Sequence, residues 1–380
     1  MSKLNIASEI IGEKRYKMLN LFFIQERTFF RLIALFLVIA AVTYPYPQIA
    51  MWVGFSFAAY SAIANDSIQS IGTFIASNSD RKWWLLWLYI GGIFVATVFY
   101  SWYVFDGDVT HQRLLATNNQ GELKFPEATN YRFLQLAAPI VLLLLTRLRM
   151  PVSTTFMLLS VFSASSQGII SVGQKSIIGY AIAFAVAMIV WFGLNRVVKL
   201  LLKGEMHPMW RVAQWLISGW LWSMWVMHDA ANIAIYLRRS ISFGEFLVFA
   251  SVIFFGLGVL FFLRGDKIQK VVTEKSEVSD VRSASIIDFA YLIVLFVFKE
   301  MSNVPMSTTW VFIGLLGGRE LAMRLSARRN KENKNVSLKN TIIMIVRDFA
   351  FALIGLVVSV ILAIAINESL QEEILTFLGW

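Results

Sequence analysis

The chain has 380 residues, of which 57% are hydrophobic and 15% charged, with a net charge of +10 and no cysteine. Soluble domains carry about 25% charged residues, and several apolar runs here reach the roughly 20 residues that span a bilayer. A soluble fold is therefore excluded, as is disulfide or thiol chemistry. The surplus Lys and Arg sits in loops between apolar runs, which reads as retention of basic loops in the cytoplasm and not as a nucleic-acid surface.

In chain order, residues 1–47 form a charged amphipathic segment followed by a first span at 29–46, without the small-residue cleavage pattern of a signal peptide. Long apolar stretches follow at 48–64, 83–105, 131–147, 176–201, 210–227, 243–263, 284–298 and 340–366, with shorter pieces at 67–78, 151–170, 230–237 and 305–323. All are read as helices, because backbone groups in lipid must be satisfied within the segment and β-barrel alternation is absent. The basic loops 196–211, 264–282 and 324–339 are expected to face the cytoplasm, and the acidic loop 106–130 and acidic tail 367–380 to face out. A bacterial inner membrane, with the N-terminus inside and the C-terminus outside, is the expected location.

Threading the chain through the membrane under these constraints produces a repeat. Residues 48–201 and 210–366 each comprise a broken helix, a span, a hairpin of short helices and a closing span, in opposite orientations. Residues 202–209 link them, and 264–283 is a cytoplasmic loop within the second half. Inverted repeats with discontinuous helices are the organisation of secondary transporters, with the site near the midplane. The expected fold class is thus all-α integral membrane, with two inverted-topology repeats whose broken helices and hairpins meet at the midplane.

Four polar interruptions stand out: "AIANDSIQSIGT" (62–73), "MPVSTT" (150–155), "MHDAANIAIY" (227–236) and "VPMSTT" (304–309). Pro151 and Pro305 suit the first turn of a helix. The groups after them then lie at a positive dipole end, where N–H groups and hydroxyls bind anions. Two such helices entering from opposite faces would aim Ser153, Thr154, Thr155, Ser307, Thr308 and Thr309 at one tetrahedral oxyanion; the plainer alternative is capping or helix–helix bonding. Asn65, Asp66, His228 and Asp229 lie where the helices are expected to break, with Gln69 and Asn232 a turn further on. A carboxylate in a span costs at least ~2.5–3.5 kcal/mol and needs a partner or a function. These oxygens are candidate ligands for Na⁺, tentatively at Asn65, Asp66, Asp229 and Asn232, with H⁺ carried on a carboxylate as the alternative; structural capping by Asp is the third reading. His228 is either a proton relay or a packed neutral imidazole, and the scattered His111 and His207 argue for no metal site.

Arg147, Arg149, Lys299 and Glu300 precede the Ser-Thr-Thr motifs, as anion-steering groups or as structural ion pairs. Arg238-Arg239 and Arg347-Asp348 are weaker candidates for gate or packing pairs. The 13 Trp and 11 Tyr fit a membrane-interface belt. Nucleotide-binding loops and nucleophile elbows are absent from the sequence, so neither an enzyme nor an ATP-driven pump is expected.

The four motifs together resemble those of the inorganic phosphate transporter (PiT) family of Na⁺- or H⁺-coupled permeases, which includes sulfate permeases. That family carries Gly-Ala/Ser-Asn-Asp-Val-Ala-Asn and Pro-Val-Ser-Thr-Thr in each of two inverted repeats. "AND" at 64–66 with "GT" at 72–73, "DAAN" at 229–232, "PVSTT" at 151–155 and "PMSTT" at 305–309 match in order over about 45–325. The resemblance implies that Ser153, Thr154, Thr155, Ser307, Thr308 and Thr309 hold the anion, that Asn65, Asp66, Asp229 and Asn232 hold the cation, and that the protein is a homodimer. The sequence departs from the pattern at Ile63, Gln69 and His228, and at Phe156 and Trp310 where the family commonly has His. The changes at Gln69 and His228 fall among the cation ligands and leave Na⁺ against H⁺ open. The expected function is symport of inorganic phosphate by alternating access, with no cofactor beyond the coupling ion. The alternatives are a sulfate or other oxyanion permease and a non-transporting anion sensor.

Overall fold

The computed structural model describes residues 26–263, apart from 119, 149, 164, 194–196, 198, 199 and 201, together with 280–301, 305–329 and 338–378. The helices are α1 (Arg27–Thr43), α2 (Pro47–Ser77), α3 (Trp83–Val104), α4 (Phe133–Arg147), α5 (Ser166–Met188), α6 (Met209–Ala234), α7 (Phe243–Phe262), α8 (Val281–Met301), α9 (Thr308–Arg329), α10 (Leu338–Ile366) and α11 (Glu368–Leu378). Two wider turns, Thr155–Leu159 and Ile189–Gly193, precede and extend α5. No strand occurs among the described residues. Five helices (Trp83–Val104, Ser166–Gly193, Phe243–Phe262, Val281–Met301 and Leu338–Ile366) are long and apolar enough to cross a membrane. Their outer faces expose Leu85, Phe255, Ile343 and Val357, as lipid-facing helices do. The protein is an all-α integral membrane protein.

The observed helices correct the sequence reading at four places. The pieces 48–64 and 67–78 form one continuous 31-residue helix, α2, entered through Pro47. Likewise 210–227 and most of 230–237 form one 26-residue helix, α6. Neither helix is broken at its Asp, so no unwound carbonyls are offered there; the polar side chains are instead met across the bundle. Within the piece expected at 151–170, helix occurs near 155–159 and again from Ser166, where α5 starts, well before the expected 176. The acidic tail is a helix, α11, fixed by a bond from Arg132 Nη2 to Glu368 Oε1 (2.5 Å) and one from Ser166 N to Glu373 Oε2 (3.1 Å). The core of the expected 264–283 loop, together with Arg149, lies outside the described residues.

The bundle is tied at both ends. At one, the Tyr131 hydroxyl donates to Tyr236 O, and Trp102 Nε1 donates to Ile241 O (2.8 Å). At the other, Arg211 pairs with Asp80 (2.8 Å), and Asn78 Nδ2 donates to Gln214 Oε1 (3.0 Å). Between them α8 packs along α6 and α4 along α2, while α9 packs along α5. The α5–α9 contact is backbone-close, because Gly314 and Gly318 on α9 face the chain of α5. A Cβ at Gly314 would stand 2.4 Å from Tyr180 O, and one at Gly318 2.4 Å from Phe184 O. Small residues four apart allow this approach within a membrane. Gly314→Leu is therefore expected to cost about 1–3 kcal/mol by overpacking, read as a lower melting temperature of the detergent-solubilised protein.

Candidate functional site

The two Ser-Thr-Thr turns and the two Asp-bearing helices meet in one buried cluster. Ser153 Oγ accepts from Phe156 N and Ser307 Oγ from Trp310 N, each at 3.2 Å. Each serine is thus an N-cap, and each proline lies two residues ahead of that cap and not in the first turn as expected. Capping uses a lone pair and leaves the hydroxyl proton to donate. Ser307 N donates in turn to Ser176 Oγ on α5 (2.9 Å). Phe156 and Trp310, in the positions after the motifs, pack against each other with ring centroids 5.7 Å apart.

On α2, Asn65 Nδ2 donates to Asp66 Oδ1 (2.5 Å) and to Val152 O (3.2 Å), joining the helix to the first Ser-Thr-Thr turn. Gln69 Nε2 and Thr309 Oγ1 approach the same Asp66 oxygen, both at 3.4 Å. The Thr154 hydroxyl lies near this carboxylate without a hydrogen bond to it. On α6, Asn232 Nδ2 donates to Asp229 Oδ1 (2.5 Å) and to Thr155 Oγ1 (3.1 Å), and Thr155 Oγ1 donates to Met306 O (3.3 Å). Thr308 faces Asp229. All six Ser and Thr, both aspartates and Asn232 are at most 2% exposed, apart from Asn65 at 4% and Gln69 at 9%. The two carboxylates are near enough for their charges to act on each other.

Four oxygens in this cluster have no hydrogen-bond partner: Gln69 Oε1, Thr154 Oγ1, Asp229 Oδ2 and Asn232 Oδ1. Buried polar atoms are rarely orphaned, and a set made only of oxygens suits a hard cation. Among the described residues no three His, Cys, Asp or Glu converge. His228 lies on the same helix, with Nε2 at 2.9 Å from Leu295 O. That contact makes it a helix-to-helix tie from α6 to α8.

Of the charged residues ahead of the motifs, Arg147, Lys299 and Glu300 form ion pairs. Arg147 bonds Glu26 through Nε (2.8 Å) and Nη2, with its guanidinium 5.0 Å over the Phe29 ring. Lys299 bonds Glu300 at 2.9 Å. Arg238 reaches Gln48 at 3.5 Å, and Arg239 donates to the carbonyls of Leu237, Phe125 and Pro126. Arg347 and Asp348 are 3.9 Å apart.

Three groups near the cluster escaped the sequence reading. Asp288 on α8 is 1% exposed and takes the Thr73 hydroxyl on Oδ1 (2.5 Å) and the Ser218 hydroxyl on Oδ2 (2.6 Å). It carries the signal that singled out Asp66, a carboxylate inside an apolar run, but has no motif around it. Tyr291 donates to Thr308 O (3.1 Å). Arg113 comes from the 106–130 loop, is 2% exposed, and donates from Nε to Met227 O (2.7 Å); nothing in the sequence marks it.

The same loop carries His111, at φ 51°. Burial first, then the charges of Arg113 and Lys299, pull its imidazole down from 6.5 to about 4. The folded form thus favours the neutral ring. The stability this contributes is complete above pH 6.5 and is lost as pH falls through about 4. His111→Asn, which tolerates the positive φ, is expected to flatten the fall in melting temperature between pH 7 and 4 relative to the parent protein.

No protein-family model matches the sequence, and no curated protein matches it. A solved structure, "The sodium-dependent phosphate transporter", matches with a TM-score of 0.52 over 87% of this chain and 96% of that one, at 17% identity. The chain has that transporter's fold. The Asp66–Asp229 cluster is a buried polar centre within a bundle of that fold.

Proposed function

We propose that the chain is a secondary transporter of inorganic phosphate, a permease of the inorganic phosphate transporter family, coupled to Na⁺ or H⁺. One observation carries the reading: both Ser-Thr-Thr helix starts reach the two Asp-bearing helices in a single buried cluster, through Thr309 to Asp66 and Asn232 to Thr155. The fold shared with a sodium-dependent phosphate transporter supports it. Thr154 and Thr308, with the spare protons of Ser153 and Ser307, donate to the four oxygens of the anion at two helix N-termini, and Thr155 and Thr309 join them by turning their protons from Met306 O and Asp66. Asp66, with Asn65 and Gln69, binds the cation that offsets the anion's charge; Asp229 and Asn232 are the matching pair on α6.

Residues 48–201 and 210–366 act as two inverted repeats that rock about this centre to give alternating access. The reciprocal packing supports that pairing: α4 lies on α2 as α8 lies on α6, and the Thr155–Leu159 turn meets α10 as α9 meets α5. The protein works in a bacterial inner membrane as a homodimer, with its N-terminus in the cytoplasm.

The test is uptake of labelled phosphate and of labelled sulfate into proteoliposomes, with and without an inward Na⁺ gradient. Saturable phosphate uptake driven by Na⁺, or by low external pH, is expected. Uptake of sulfate in preference to phosphate moves the substrate to another oxyanion. Saturable binding with no uptake of either turns the protein into a sensor.

A further inference from the structure

Asp66, Asp229 and Asp288 are each 1% exposed. The first two belong to the centre described above, and the proposed transport leaves the third unused. Asp288 lies on α8, and both its oxygens are held from other helices. Thr73 Oγ1 on α2 donates to Oδ1 (2.5 Å), and Ser218 Oγ on α6 donates to Oδ2 (2.6 Å). Thr73 follows Asp66 by seven residues and Ser218 precedes Asp229 by eleven, about 10 and 16 Å along their helices. The node is thus displaced from the centre toward the end where Arg211 meets Asp80. Buried polar groups continue in that direction. Ser77 Oγ donates to Thr73 O (2.7 Å) and accepts from Gln214 Nε2. Asn78 Nδ2 donates to Gln214 Oε1 (3.0 Å), and Trp215 Nε1 to Asn78 Oδ1 (3.1 Å).

A buried carboxylate needs a positive charge or a proton. The elements packed against α8 are α2, α5, α6 and α9. The charged and titratable side chains that these bring inside the bundle are Asp66, Lys175, His228, Asp229 and Arg319, with Tyr291 on α8 itself. Asp288 bonds to none of them; its two partners are neutral hydroxyls. Such a pair serves either charge state. Both hydroxyls donate to the ionised form. Toward the neutral acid, one accepts the carboxyl proton and returns its own to the carbonyl four residues back, a bond open to Ser and Thr in helices. Ser67, Ser77 and Ser176 make that bond in this chain. A bound Na⁺ asks instead for several free oxygen lone pairs. The centre leaves four oxygens unpartnered, but Asp288, Thr73 and Ser218 leave none.

We propose that Asp288 is a proton-binding site of the carrier, separate from the cation site at Asp66, and that it exchanges its proton along Ser77, Gln214 and Asn78 with the Arg211–Asp80 end of the bundle. One proton then moves with each phosphate besides the ion at Asp66. That step rests on the transport reading above; the site itself does not.

The experiment counts protons moved per labelled phosphate in proteoliposomes of the full chain. A pH-sensitive dye is enclosed, Na⁺ is fixed and the membrane potential is clamped. Protons borne by phosphate itself are the same in parent and variant. Asp288→Asn is expected to move one proton fewer per phosphate than the parent, and Asp288→Glu to match the parent. An unchanged count in Asp288→Asn overturns the proposal. Where Asp288→Asn shows no net uptake, exchange of labelled for unlabelled phosphate is expected to persist; loss of exchange in a variant that melts as the parent does overturns the proposal. The parent protein supplies a second reading that needs no transport. Infrared difference spectra between acid and alkaline pH are expected to show a titrating buried carboxyl C=O band that shifts in frequency in Asp288→Glu. Absence of a band that shifts in this variant overturns the site. A parent that moves neither phosphate nor sulfate but shows the shifting band overturns the transport reading and leaves the proton site standing.

Discussion

Thr154→Ala combined with Thr308→Ala is expected to abolish saturable phosphate uptake at micromolar substrate. The two hydroxyls come from opposite helix starts, and each lies beside a different carboxylate, Asp66 and Asp229. A hydrogen bond to a charged group contributes about 1.5–3 kcal/mol, so losing two raises the half-saturating phosphate concentration by about 10²–10⁴-fold. Both Thr are 1% exposed, and losing the side-chain oxygen and methyl leaves small voids, so folding is checked by melting temperature. Thr154→Ser with Thr308→Ser keeps both hydroxyls and is expected to keep uptake within a small factor of the parent. Ordinary uptake by the double alanine variant would remove these threonines from the anion site. The serines are poorer test positions, since Ser153 and Ser307 each cap a helix and their loss costs about 1 kcal/mol of stability whatever else they do.

Asp66→Asn is expected to lower cation-driven phosphate uptake by about 10²–10³-fold, the equivalent of breaking one buried charge assembly. The substitution nearly preserves shape and keeps one oxygen as a hydrogen-bond acceptor, so its effect is that of charge. With only neutral partners in Asn65, Gln69 and Thr309, the carboxylate is left to be balanced by the coupling ion. Residual uptake should lose its dependence on Na⁺. A parent protein indifferent to Na⁺ but accelerated at low external pH identifies the proton as the ion, and Asp66→Asn should then flatten that pH response. Cation dependence that survives Asp66→Asn unchanged would remove Asp66 from the coupling site.

The sequence made the spans and the four polar motifs legible for a physical reason. Apolar length is a property of each segment alone, and polar groups in such segments stand out singly. It did not make legible anything that depends on which segments touch. The motifs at Asp66 and Asp229 read as helix breaks because an isolated membrane helix has no means of satisfying Asn and Asp. In the bundle Asn65 finds Val152 O and Asn232 finds Thr155, so the helices have no reason to unwind. Arg147 read equally as a steering charge or a partner until Glu26 and Phe29 came beside it. Arg113 lay in a polar loop, where an arginine attracts no notice, and only the folding of that loop onto α6 buries it.

Thr155 belongs to the first Ser-Thr-Thr turn, receives a bond from Asn232 on α6, and gives one to Met306 beside the second turn. One oxygen atom thus joins three parts of the molecule that, in the proposed transport cycle, would change relative position. Reciprocity of binding between anion and cation then needs no relay of helices. Whatever pulls on this hydroxyl from one side alters what it can offer on the other, so under the proposed function the link between anion and cation would be as short as a single side chain.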